Sequence, residues 1–177
     1  MAIYNRDFLS VKHDLYKENI SNWEFYIRSY LGGNDYKNGY HLHRYILETP
    51  EEYEQRIRHT PIDNHCRNVI QIYSSFLWRV PPSRDYGSLT GDPQLEAFID
   101  DADLDGRNFN NVMRDLQVNA SIYGNCWAIV DKPQVNTKTR AEELQQDIRP
   151  YLSIYTPENI VNWHYSRALS GRFYLDL

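Results

Sequence analysis

The chain has 177 residues, 41% hydrophobic and 24% charged, which suffices for an ordinary folded domain and excludes wholesale disorder. Its net charge is −5 with no run of lysines or arginines, so it lacks a basic surface built to hold nucleic acid through phosphates. The apolar runs, such as Cys126 to Val130, are far too short to span a bilayer, and the start MAIYNRDFLSVKHDL lacks a secretory apolar core, so the sequence predicts a protein that stays in the cytoplasm where it is made.

Taken in order, residues up to about Leu31 read as a helix with Val11, Leu15, Trp23, Ile27 and Tyr30 near one stripe, ended by Gly32, Gly33 and Asn34. The segment NDYKNGYHLHRYILE is rich in aromatic and turn-forming residues and reads as an extended loop. Its Asn34 to Tyr45 part has few apolar anchors of its own, which predicts packing on a neighbouring subunit or another layer. Thr49, Pro50 and Glu52 form a cap, a first-turn proline and a capping-box glutamate, starting a helix through about Arg58.

The stretch Thr60 to Pro82 carries the strongest periodic signal. Ile62, Cys66, Val69, Ile70, Tyr73, Phe76, Leu77 and Val80 recur at the spacing of one helix face, with Thr60 as cap, Pro61 in the first turn and Pro81-Pro82 as the stop. A face that wide is expected to be buried. If it is core, Phe76→Ala costs about 3–5 kcal/mol.

After a loop from Ser83 to Pro93, Leu95, Phe98, Ile99 and Ala102 predict a short helix, and Phe109, Val112, Met113, Leu116 and Ala120 a longer one. Cys126 to Val130 reads as a buried strand after the Tyr123-Gly124-Asn125 turn. Lys132 to Ile148 reads as a loop with a helical turn around Ala141 to Gln146, and Tyr151 to Tyr155 as a second strand. Val161 to Tyr165 and Arg172 to Leu177 read as a hairpin joined through Ser170-Gly171, with Phe173 and Leu175 alternating against Tyr174 and Asp176. Helices first and strands last predict an α+β fold: a mainly helical N-terminal two-thirds followed by a small, largely antiparallel sheet.

Little in this order suggests catalysis. Asp101, Asp103, Asp105 and Gly106 open like a calcium loop, but the twelfth position, which needs a bidentate glutamate, is Val112, so these acids read as solvating a helix junction and capping the second helix. His41, His43, His59 and His65 have no spacing that brings three or four ligands together. Cys66 and Cys126 read as free buried thiols. The prediction is a non-enzyme with no catalytic, cofactor-binding or metal-binding residue and no cofactor.

The block ETPEEYEQRIRHTPIDNHCRNVIQIYSSFLWRVPP, then NASIYGNCWAIVDKP, then RPYLSIYTPENIVNW, resembles the N-terminal wing region of tailed-bacteriophage portal proteins. In that family an acidic helix leads into a helix with a Pro-rich stop. A Tyr-Gly turn then leads into an apolar strand closed by Asp-x-Pro, and a further strand runs into a Pro-Glu-Asn turn. Here those last pieces are Tyr123-Gly124, Ile129 to Pro133 and Pro157-Glu158-Asn159, and the likeness covers residues 20–177.

The resemblance implies that residues 1–177 are the first part of a portal wing, with stem, clip and crown expected C-terminal to it. It implies a structural virion protein, assembled in the host cytoplasm and located at the capsid portal vertex. The homo-oligomeric ring, dodecameric in the family, is the passage through which DNA is packaged and ejected, without sequence-specific binding and without a membrane. The partners implied are the major capsid protein, the packaging terminase and a head-tail adaptor. Because Leu177 falls inside a predicted strand, the chain is expected to be the front portion of a longer polypeptide. The alternative from the residues alone is a small non-enzymatic binding module, calcium-dependent through the acidic stretch.

Overall fold

The computed structural model describes residues 11–134, 139–171 and, as backbone, 173–176. The helical reading of residues 1–10, the middle of the 132–148 loop and the side-chain alternation expected from Phe173 to Asp176 lie outside the described residues. The fold is α+β, and among the described residues the strands form two separate two-stranded antiparallel ladders where one small sheet is expected. The chain divides into two compact units, one of residues 1–71 with 157–177 and one of residues 72–156.

In the first unit, α1 (Asp14–Leu31) begins after His13, whose Nδ1 accepts the Leu15 N–H. The helix buries Tyr16 and Trp23, two turns apart on one face, with rings edge to face at 5.8 Å. Leu15 and Val11 of the expected stripe are exposed. Tyr16 takes the inward place because its hydroxyl finds the Glu158 carbonyl at 3.2 Å. Beside it His13 stacks on buried Trp163 at 4.0 Å, and the His13 N–H donates to the Val161 carbonyl.

Gly32 ends α1 with φ 68°. A Cβ there would lie 2.5 Å from Asn64 Nδ2, so backbone conformation and space both call for glycine. The expected extended loop is corrected in its first part: Gly33–Asn38 forms α2, and Tyr36 and His41 pack on Phe25 of α1. The remainder of that loop folds onto α3 (Pro50–His59). Arg56 of α3 grips Glu48 through two nitrogens and the His43 carbonyl through one, and Tyr53 donates to the Leu42 carbonyl. The Arg56 hydrogen bond holds the Glu48 carboxyl below its ordinary pKa. The capping box at Thr49 and Glu52 forms as expected.

The helix read from Thr60 is shorter at both ends. Thr60 is the C-cap of α3, with its hydroxyl donating to the Arg56 carbonyl, and α4 spans His65–Leu77. Asn64 is the cap in fact, its side-chain oxygen accepting the Arg67 N–H. Asn64 and Arg67 also donate to the last carbonyls of α1, those of Tyr30 and Leu31, which would otherwise be unsatisfied.

In the first unit's C-terminal part, β3 (His164–Arg167) pairs with β4 (Phe173–Asp176) in the register His164↔Asp176. The strand expected at Val161 starts three residues later, because Val161 and Trp163 are committed to His13. The final strand does pair with His164 and Tyr165 of the expected partner.

In the second unit, α5 (Pro93–Asp100) and α6 (Phe109–Tyr123) match the two periodic segments, and the chain leaves α6 through left-handed Gly124. Then β1 (Trp127–Asp131), α7 (Arg140–Gln145) and β2 (Tyr151–Tyr155) come in turn, with β1 and β2 antiparallel and Val130 opposite Leu152. Ala102, Val112 and Leu152 form the core, with Phe98, Phe109 and Ile154 packed on it. The expectation of a fully buried β1 is corrected. Its residues alternate, and Val130, on the same face as Leu152, is 63% exposed.

Candidate functional site

Two surfaces in the structure depart from what a finished core would show, and both carry apolar groups. The first is α4. At 3.6 residues per turn, Val69, Ile72, Tyr73, Phe76 and Leu77 with Cys66 form one continuous stripe. The expectation that the face of Ile62, Cys66, Val69, Ile70, Tyr73, Phe76, Leu77 and Val80 is buried is overturned for most of it: Tyr73 is 66% and Phe76 70% exposed, Cys66, Val69, Leu77 and Val80 are exposed too, and only Ile62 and Ile70 are half-buried. The side turned inward is the opposite one, where Ser74 is 1% exposed and Arg67 is spent on the end of α1. Polar anchoring of the helix start at Asn64 and Arg67 therefore sets the rotation of α4. Cys66 follows the stripe and is exposed, which corrects the buried-thiol reading. Cys126 is half-buried, its Sγ 3.3 Å from the Tyr155 carbonyl, and burial pushes its thiol pKa up.

The second surface is a cleft of about 610 Å³ within the second unit. Its walls are Leu89, Leu95, Phe98, Phe109, Val130 and Leu152, and its polar rim is Asp92, Gln94 and Arg140. Phe98 of α5 and Phe109 of α6 pack on the core cluster that holds Leu152, while Val130, opposite Leu152 in the ribbon, stays exposed. Asp92 caps α5 by accepting the Gln94 N–H and is ion-paired with Arg140. The Arg140 hydrogen bond is the main cause of the lowered Asp92 pKa. The Gln94 side-chain Nε2 is buried and has no hydrogen-bond partner among the described residues. Nothing in the sequence periodicity marks this cleft.

The acidic stretch is occupied by arginines. Asp101 accepts from Gly106 N–H through one oxygen and from Arg149 through the other, while Asp103 accepts from Asp105 N–H, Arg107 N–H and the Arg107 side chain. Helix α6 is capped by Asn108, which replaces the acid expected in that role. Among the described residues no three metal-binding side chains converge. His41 packs on Phe25 and Tyr36 at 4.8 and 5.1 Å, and burial, with Arg28 nearby, lowers its pKa. His43, His59 and His65 are exposed.

No protein-family profile matches the chain, and no curated protein matches it in sequence. Among the described residues no helix is long and apolar enough to cross a membrane.

Proposed function

We propose that this chain is a wing segment of a portal-type ring subunit, a structural and non-enzymatic virion component at the capsid vertex through which DNA is packaged and ejected. The observation that carries the reading is the apolar stripe of α4 turned to solvent. Covering a side chain such as Phe76 or Leu77 gains about 1.5–3 kcal/mol, so a stripe of such residues is a strong drive toward assembly. Ile46 and Leu47, at the tip of the loop held on α3, are almost fully exposed and add a second apolar patch of the same kind. The resemblance of the three sequence blocks supplies the class of assembly, a homo-oligomeric ring that meets the major capsid protein, the terminase and a head-tail adaptor. The acidic balance suits a passage that lets DNA slide without holding it.

The calcium-dependent binding module is the weaker reading, since the Asp101 and Asp103 oxygens already serve backbone N–H groups and guanidinium groups. The deciding experiment is immunogold electron microscopy of the phage particles that encode the chain, using antibody raised against residues 1–177. Gold at a single vertex supports the portal reading, and gold absent from particles or spread over every vertex overturns it.

A further inference from the structure

His41 sits in an aromatic pocket that leaves one of its two ring nitrogens nothing to bond. The ring meets Phe25 of α1 edge to face at 4.8 Å and Tyr36 of α2 at 5.1 Å, and its Nε2 is buried with no hydrogen-bond partner among the described residues. It lies so close over the end of α2 that a Cβ added at Gly39 would overlap Nε2, and would lie 2.6 Å from Cδ2 and 3.0 Å from Arg28 Cδ. Between Gly39 and His41, Tyr40 is held in the left-handed region at φ 53°, a conformation that persists in a tyrosine only where its surroundings impose it. We propose that His41 is a proton-operated latch: as a neutral ring it holds residues 39–42 against α1 and α2, and on taking up a proton it leaves the pocket and opens the Phe25–Tyr36 face.

A neutral imidazole keeps one nitrogen as a lone pair, whereas an imidazolium must donate from both, and the buried Nε2 has no acceptor to receive that proton. The surrounding elements offer no compensating charge. Arg28 of α1 repels a positive ring, Lys37 of α2 is bonded to the Arg58 carbonyl, and Tyr53 of α3 is bonded to the Leu42 carbonyl. No carboxylate, Asp35 of α2 included, pairs with the ring among the described residues. The faces of Phe25 and Tyr36 attract a cation and offset part of the penalty. Burial and then Arg28 outweigh that attraction and lower the His41 pKa from its ordinary 6.5. The opening is confined to a short span, because Arg56 and Tyr53 of α3 hold the His43 and Leu42 carbonyls on one side and the Gly39 N–H bonds the Tyr36 carbonyl on the other. Within it, the Tyr40 N–H bond to the Lys37 carbonyl, 3.0 Å in the latched form, is the one that breaks as Tyr40 leaves its left-handed conformation.

The test titrates the 177-residue chain by NMR between about pH 5 and 8, following the His41 ring protons and the hydrogen exchange of the Tyr40 amide, corrected for its intrinsic pH dependence. His41 is expected to titrate below 6.5. The latched form is fully favoured above that pH, and below it the opening constant at Tyr40 rises by up to about tenfold per pH unit until the latched form itself takes the proton. Gly39→Ala pushes the ring out without charging it, at a residue whose φ of −76° suits alanine, so Tyr40 exchanges faster at neutral pH and His41 titrates back near 6.5. His41→Phe keeps an aromatic ring that cannot take a proton, and the pH dependence at Tyr40 is lost. A wild-type His41 that titrates at or above 6.5, or Tyr40 exchange that ignores pH, overturns the proposal even if neither variant folds. A wild-type response retained in His41→Phe would assign the proton to exposed His43 and overturns it as well.

Discussion

Arg149 donates to both the carboxylate and the backbone carbonyl of Asp101, a residue 48 positions earlier, and so ties the end of α5 to the start of β2. The same guanidinium reaches the Ala97 carbonyl at 3.1 Å and the Asp147 carboxylate at 2.9 Å. Its side chain is 7% exposed, so the charge is out of water and depends on these partners.

Arg149→Ala removes one donor group from four acceptors. A fully buried pair broken on one side costs about 3–5 kcal/mol, but the Asp101 and Asp147 carboxylates are 28% and 71% exposed and regain water. The expected loss is about 2–3 kcal/mol, mainly from the Ala97 and Asp101 carbonyls. Urea unfolding of the variant beside the wild type measures it.

The same bonds predict the outcome of a calcium titration. An ion at Asp101 and Asp103 would have to displace Arg149 and Arg107 and the backbone N–H groups they share these oxygens with, while Val112 supplies no ligand at the position where a glutamate is needed. Isothermal titration of the folded chain is expected to give no saturable heat. Saturable binding lost in Asp103→Asn would restore the calcium reading.

Asp103 also sets an acid limb. Burial alone would raise its pKa, but the Asp105 and Arg107 N–H groups and the Arg107 guanidinium outweigh that and hold it below the ordinary 3.8. A depressed folded-state pKa contributes stability that is present above the unfolded value and is lost as pH falls through the folded one. Stability is therefore expected to fall below about pH 4, and Asp103→Asn to flatten that fall. Urea midpoints taken from neutral pH down to about pH 2 check the slope.

Local signals were readable where the cause is local. The Thr49–Glu52 box, the α5 and α6 periodicities and the Tyr151–Tyr155 strand need only neighbours a few residues away. What the sequence could not show was orientation. The stripe of α4 is plain, yet its rotation depends on Asn64 and Arg67 finding carbonyls more than 30 residues back. The hairpin start moved because a histidine at position 13 claims Val161 and Trp163. The cleft depends on Phe98, Phe109, Val130 and Leu152 being brought together from four elements, which is a matter of packing and not of pattern.

Gly32 and Gly33 form a matched pair for substitution. Both have positive φ, 68° and 55°, but a Cβ at Gly32 meets Asn64 Nδ2 at 2.5 Å whereas one at Gly33 meets nothing within 4 Å. Gly33→Ala is expected to cost about 1–2 kcal/mol of backbone strain. Gly32→Ala costs more, because φ 68° with ψ −164° is a conformation essentially only glycine adopts, and its Cβ also displaces Asn64, which caps α4 and bonds the Tyr30 carbonyl. Equal midpoints for the two variants in thermal unfolding would show that the Asn64 contact carries no weight.

Phe76 separates folding from assembly. Were α4 a core helix, Phe76→Ala would leave a cavity and cost about 3–5 kcal/mol. At 70% exposure the ring has little packing to lose within the chain, and the expected change in monomer stability is within about 0.5 kcal/mol. Tyr16→Ala is the contrasting variant, because that ring is 7% exposed, packs on Trp23 and bonds the Glu158 carbonyl, so about 3 kcal/mol is expected there. Urea unfolding at a dilution where the wild type is monomeric reads both numbers. If the α4 stripe is an assembling surface as proposed, Phe76→Ala lowers the concentration dependence of the midpoint, while Tyr16→Ala leaves that dependence intact. A large loss for Phe76→Ala in the dilute monomer would place the stripe inside the fold and remove the principal support for an assembling surface.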